Sequence, residues 1–147
     1  MAKKKFGKET YLKWYENMLL WRKFEERAGQ LYIQQKIRGF CHLYIGQEAV
    51  VAGSLESMQD GDKVITAYRD HVHPIALGVP AKQIMAELYG KKTGIVKGKG
   101  GSMHMFSKEK NFYGGHGIVG APVPIGTGLA FANSFRQNDN VCLCYFG

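Results

Sequence analysis

Val141-Cys142-Leu143-Cys144-Tyr145-Phe146 is an unbroken apolar run with no polar alternation. A strand of this kind is buried on both faces, which places it in the centre of a parallel sheet with helices above and below. Val64-Ile65-Thr66-Ala67-Tyr68 is a second, β-branched run and predicts another buried strand. Elsewhere the pattern is helical. Tyr11, Trp14, Tyr15, Met18, Trp21, Phe24, Ala28, Leu31 and Tyr32 recur at three- and four-residue spacing. They predict a long amphipathic helix over 10–36, stopped near Gly39, with the aromatic stripe as its packing face. A second helix is expected over 47–58. A third, opened by Pro80 and closed by Gly90, is expected over 81–89, and a small-residue helix over 125–135. The fold class is therefore α/β, a parallel sheet flanked by helices. With two strong strands in 147 residues the sheet is half built, so residues 1–147 are expected to be the N-terminal part of one larger domain.

Composition narrows the class. The chain is 45% hydrophobic and 12% aromatic, as globular proteins are. Its formal net charge of +8 comes from 20 Lys and Arg against 12 Asp and Glu. Lysines 3 to 5 open the chain, and Lys91, Lys92, Lys97, Lys99, Lys108 and Lys110 cluster in a glycine-rich region, which favours anionic partners. A basic nucleic-acid-binding module is one reading; it predicts affinity falling steeply with salt. Against it, the aromatic residues gather on the first helix, away from the lysines. The three cysteines are odd in number with no C-x-x-C, so a reducing compartment is expected and Cys142 and Cys144 are read as buried small hydrophobes. Charges at Lys13, Glu16, Arg22 and Lys23 interrupt the first apolar stretch. No leader or membrane span is read there, and a bacterial cytoplasmic protein is expected.

Eleven of the nineteen glycines fall between Gly90 and Gly128. Glycine costs backbone entropy, and its usual returns are positive φ or close approach of main chain to a ligand or another main chain. Residues 90–124 lack periodicity and read as one long functional loop. Gly115-His116-Gly117-Ile118-Val119-Gly120 matches the G-x-G-x-x-G dinucleotide pattern. That mechanism needs a strand running into the glycines and a helix leaving them. The approach over 108–114 does not read as a strand, and Pro122 and Pro124 delay the helix, so a dinucleotide site is not expected. His71-x-His73 would put two rings on one side of a strand, yet no carboxylate or cysteine stands at ligand spacing, so no metal ligand is assigned. Tyr68-Arg69 closes a predicted parallel strand, where α/β sheets bind ligands, and an Arg fork suits phosphate oxygens. Gly117 C=O and Val119 N–H, two residues apart, form an acceptor–donor pair able to read a planar heterocycle with an amino group beside a ring nitrogen.

Five words in order carry a resemblance. They are Ile37-Arg38-Gly39-Phe40-Cys41-His42, Gly46-Gln47-Glu48-Ala49, Ile65-Thr66-Ala67-Tyr68-Arg69-Asp70-His71, Gly98-Lys99-Gly100-Gly101-Ser102-Met103-His104-Met105 and 111–120 with its glycines. Together they resemble the alpha subunits of the two-subunit, thiamine-diphosphate-dependent pyruvate dehydrogenase component. The related branched-chain 2-oxo acid and acetoin enzymes are the alternatives within that resemblance. The resemblance implies the thiamine-diphosphate-binding fold. It implies decarboxylation of pyruvate with acetyl transfer to the lipoyl group of an acyltransferase core. A beta subunit would be the partner that completes the cofactor site. By family position, Tyr68 and Arg69 would contact the diphosphate, and Gly117 and Val119 the aminopyrimidine edge. His42 would be the catalytic residue near the reacting end of the cofactor, and Ser107 would line the same pocket. The family's Mg²⁺ motif would begin at Gly147, with its ligands expected beyond it. The chain alone is therefore expected to be inactive.

Overall fold

The computed structural model describes residues 6–146; the lysines at 3 to 5 and Gly147 lie outside the described residues. The first helix, α1, is Lys8–Ile33. Trp21, Phe24, Glu25, Ala28 and Leu31 form its buried face, at three- and four-residue spacing. Towards the other end Met18 is half-buried, Tyr11 and Tyr15 are 52% and 62% exposed, and the Phe6 ring lies 4.8 Å from that of Trp14. The helix stops at Gln35, in the left-handed region at φ 58°, four residues before Gly39.

Helix α2, Glu48–Leu55, follows a loop over 36–47. Its first residue receives both N–H groups of the Arg22 fork, at 2.7 and 3.0 Å, and this ion pair joins α2 to α1. Strand β1 is Lys63–Ala67. A short helix, α3 at Val72–Ala76, follows and was not expected from the sequence. Helix α4, Ala81–Leu88, starts after Pro80 and ends with Gly90 at φ 65°, as its spacing predicts.

The region 90–124 is not one structureless loop. It contains a 3-10 turn at Lys108–Lys110 and a strand, β2, at Phe112–His116. Helix α5, Pro122–Phe135, then begins on its first proline, three residues earlier than the pattern suggests. A strand therefore does run into the glycines, and a helix does leave them, which corrects the reading of 108–114. The strand was hidden because two of its five residues are glycine, a poor strand former. Close approach demands them: a Cβ on Gly114 would overlap the Phe106 ring, and one on Gly115 the Asp70 carboxylate. Asp139 sits before the third strand, at the opposite end of the sheet from the glycine turn.

The third strand, β3 at Cys142–Cys144, completes a parallel sheet of order β2-β1-β3. Thr66 and Ala67 pair with Gly115 and His116 on one side of β1, and Val64 and Ile65 pair with Leu143 and Cys144 on the other. Among the described residues β1 is thus the central strand and β3 an edge, with Cys142 and Cys144 half-buried rather than enclosed. Phe24, Ala28, Leu31, Val64, Ile84, Leu88, Met105 and Phe112 form the main core on one face of the sheet. Helix α5 covers the other, its Gly126 close to Ile65 and Cys144.

The stretch 94–101 is organised by one side chain. Glu87, at the end of α4 and fully buried, accepts N–H groups from Val96, Gly98, Gly100 and Gly101 at 3.0, 2.8, 2.8 and 3.1 Å. The packing generates a paired test. Gly115→Ala is expected to lower the unfolding free energy by about 2–3 kcal/mol through overlap with Asp70. Gly53→Ala, on α2 with nothing near its Cβ position, is expected to raise it by about 0.5–1 kcal/mol. Urea unfolding of both variants measures this.

Candidate functional site

The sheet order decides where a crevice can form. After β2 the chain crosses over β1 by way of α5 and adds β3 on the far side. The connections therefore part at β1, and open α/β sheets bind ligands outside the carboxyl ends of strands at such a switch point. A cavity of about 440 Å³ lies there. Thr66, Ala67, Tyr68 and Arg69 line it from the end of β1, and Cys144, Tyr145 and Phe146 from the end of β3. Tyr44, Gln47 and Val50 come from the α2 side, and His73 comes from α3.

Four of the expected residues meet at this end of the sheet, and His42 joins them. Arg69 is exposed; its Nη1–H donates to Leu43 C=O at 2.8 Å and its guanidinium carbon lies 5.7 Å from the Tyr68 ring centroid. One corner of the fork is thus fixed, and the remaining N–H groups stay available to an anion. The register sets the end of β2 beside that of β1, so Gly117 follows His116 next to Tyr68. Among the described residues, neither Gly117 C=O nor Val119 N–H has a hydrogen-bond partner, and Val119 is 63% exposed. The His42 ring stands 4.7 Å from that of Tyr68. Burial lowers the His42 pKa below the ordinary histidine value, reinforced by the positive fields of Arg69 and His71. Its imidazole is therefore neutral at neutral pH, with Nδ1 buried and unpartnered.

Ser107 is set apart. Its N–H and C=O pair with Phe112 at 2.9 Å each, at the start of β2, the end of the strand away from the cavity. It is absent from the cavity lining.

The paired histidines do not share a strand face. The chain leaves β1 at Tyr68 and turns helical at Val72, so the two rings diverge. His71 is fully buried; its Nδ1 lies 3.0 Å from both oxygens of Glu25 and its Nε2 2.7 Å from Ser102 Oγ. Burial works to lower the His71 pKa, but the Glu25 carboxylate outweighs it, and the net direction is upward. His73 faces the rings of Tyr44 and Tyr145, at 5.0 and 4.7 Å, with both nitrogens unpartnered. Burial pushes its pKa down to about 3. Asp70 is fully buried, with Oδ2 accepting Met105 N–H at 3.3 Å and Oδ1 unpartnered; burial pushes its pKa up to about 8. Sequence reasoning missed Glu25, Ser102 and Asp70. For Glu25 a signal existed: a carboxylate at core spacing with Trp21 and Ala28 on a helix otherwise apolar there. Among the described residues no group of three His, Cys, Asp or Glu side chains is placed to hold a metal ion, and no helix is long and apolar enough to cross a membrane.

Comparison with known proteins fits this geometry. Residues 16–147 match the family model described as dehydrogenase E1 component. A protein of Rhizobium meliloti (strain 1021) named pyruvate dehydrogenase E1 component subunit alpha is 66% identical over 142 residues, 97% of this chain and 41% of that protein. Proteins of the same name are 56% identical in Rickettsia prowazekii (95% of this chain, 43% of that protein) and 54% identical in Rickettsia conorii (100% and 45%). The chain spans less than half the length of these relatives.

The buried acid and histidines generate a pH prediction. Between about pH 4 and 6.5 the folded chain holds one proton more than the unfolded chain at Asp70 and one fewer at His73, so their effects on stability cancel. Above pH 6.5 His73 is neutral in both states. Asp70 then still binds a proton that the unfolded chain has released, and His71, with its raised pKa, acts in the same direction. Stability therefore falls as pH rises from 6.5 to 8, by about 1–2 kcal/mol. Asp70→Asn is expected to at least halve that decline, read by urea unfolding across the interval.

Proposed function

The chain belongs to the dehydrogenase E1 component family, and from that premise we propose that it forms part of the alpha subunit of a pyruvate dehydrogenase. The proposed activity is thiamine-diphosphate-dependent oxidative decarboxylation of pyruvate, with acetyl transfer to the lipoyl group of an acyltransferase. A beta subunit is the proposed partner, and the bacterial cytoplasm the proposed compartment. Mg²⁺ belongs to this proposal as the counter-ion of the diphosphate.

The observation that carries the reading is an unused polar array at one sheet end. Arg69 presents free N–H groups beside Tyr68 at the mouth of the cavity, and the Gly117 C=O and Val119 N–H next to them are unpaired. These backbone groups are free to exchange water for a ligand, and a planar heterocycle with an amino group beside a ring nitrogen matches their spacing. These residues fit thiamine diphosphate. The Arg69 fork and Tyr68 hydroxyl would hold diphosphate oxygens. Gly117 C=O would accept from the exocyclic amino group, and Val119 N–H would donate to the adjacent ring nitrogen. Exposed Ile118 and Val119 side chains supply apolar contact and help to exclude water. When bound, the cofactor supplies a carbanion centre and an electron sink for decarboxylation. His42, kept neutral and tilted against the Tyr68 ring, can orient a substrate oxygen or exchange a proton with it. Ser107, at the other end of β2, forms no part of the proposed set.

Arg69→Ala tests the reading in the alpha–beta assembly. Loss of charge-assisted hydrogen bonds is expected to weaken thiamine diphosphate binding by about 10–100-fold. Binding of thiamine, which lacks the phosphates, should change little. Calorimetry with both ligands measures this, and equal weakening of the two would remove Arg69 from the diphosphate site.

A further inference from the structure

A buried hydrogen-bonded chain, Glu25-His71-Ser102, runs behind the cavity; none of these three residues lines it. It begins at Glu25, on the core face of α1, with no exposed surface. Both Glu25 oxygens lie 3.0 Å from His71 Nδ1. His71 Nε2 lies 2.7 Å from Ser102 Oγ, in the glycine-rich segment. Ser102 Oγ in turn accepts the backbone N–H of His42 at 3.0 Å. Four segments remote in sequence are thereby joined: α1, the exit from β1, the glycine-rich segment and the loop carrying His42.

Stability alone does not account for this chain. Desolvating a carboxylate and an imidazole costs several kcal/mol, and apolar side chains of the same size would fill the space as well or better. What a hydrogen-bonded chain adds is direction. A carboxylate can only accept, so Glu25 takes the Nδ1 proton of His71. Nε2 faces the Ser102 hydroxyl, whose oxygen keeps a lone pair for the His42 N–H whether Nε2 donates or accepts. The chain therefore ends on the backbone of His42. Other ionisable groups face the same point: Asp70 beside His71, Cys41 from the His42 loop, and Arg69 and His73 on either side of the β1 exit. Burial holds the Cys41 thiol protonated, with a pKa of about 11, so it adds no charge.

We propose that Glu25, His71 and Ser102 are positioning residues that pin the backbone at His42 and so set the place of its ring in the site. The pin itself stands on geometry; its effect on turnover rests on the pyruvate dehydrogenase reading. The His42 ring also packs at a tilt against the Tyr68 ring, a contact that does not fix the backbone. The cofactor contacts proposed for Arg69, Gly117 and Val119 lie on other segments. Cutting the pin should therefore impair turnover and leave cofactor binding intact, which general loosening of the fold would not do.

The test uses the alpha–beta assembly with Ser102→Ala, which deletes the central hydroxyl, and Glu25→Gln, which keeps its shape and removes the charge. Hydrogen exchange by mass spectrometry follows the peptide carrying His42, with an α5 peptide as the reference for global opening. Ser102→Ala is expected to speed exchange at His42 by about tenfold, the loss of one hydrogen bond, with the α5 peptide unchanged. It should lower kcat for pyruvate by ~10–100-fold and leave the thiamine diphosphate Kd within about twofold. Glu25→Gln should give the same pattern more weakly. Exchange at His42 unaltered in Ser102→Ala would overturn the pin. So would kcat and cofactor affinity falling in parallel, or turnover unchanged despite faster exchange. If the unaltered assembly does not turn over pyruvate, the functional reading fails, and the exchange data judge the pin by themselves.

Discussion

The Glu87 carboxylate holds the glycine-rich segment in shape, and the placement of the site follows from it. A buried carboxylate without partners is prohibitively costly, and here four main-chain N–H groups take the place of water. Converging four donors on one group forces the backbone close to it. A Cβ on Gly94 would overlap Glu87 itself, and one on Gly98 would overlap the main chain at Gly90. These glycines therefore serve an internal anion. The segment so fixed delivers Ser102 to His71, Met105 to the core and to Asp70, and the chain to the start of β2.

A second constraint is topological. Because β2 and β3 lie on opposite sides of β1, the connections part at the carboxyl end of the central strand and leave a crevice there. Tyr68 and Arg69 emerge at this point, Gly117 to Val119 emerge one strand away, and Tyr145 and Phe146 on the other side. The cavity is thus a consequence of strand order. Its polar equipment is sparse, and what is there has free hydrogen-bonding capacity, as a binding surface must.

The layer behind the cavity carries four titratable groups with little or no access to water: Glu25, Asp70, His71 and His73. Their environments push them apart. Asp70 keeps its proton and His73 refuses one, both through desolvation, while His71 is held towards the charged form by Glu25. Such separation keeps the net charge of the layer low despite its ionisable content. The pKa of His42, beside Tyr68, is lowered by its own burial and then by the cation at Arg69.

Much was legible in the residues themselves. Three-residue and four-residue spacing located α1, small-residue runs α2 and α5, and Pro80 with Gly90 the bounds of α4; β-branched or continuous apolar runs located β1 and β3, because burial leaves its trace in residue type and spacing. The Tyr68-Arg69 strand end and the Gly117–Val119 pair were visible as residue types at a spacing. The tertiary structure alone decided the rest. Strand β2 was invisible because Gly114 and Gly115 answer to Phe106 and Asp70, neither of them a neighbour in the chain. The helical turn at α3, which sends His71 and His73 in different directions, depends on the chain leaving β1 under α2. Glu25, Ser102 and Glu87 acquire meaning only through partners 9 to 60 residues away. Local pattern records which face of a segment is buried; it does not record what a buried polar atom meets, since that partner is chosen by the packing of other segments.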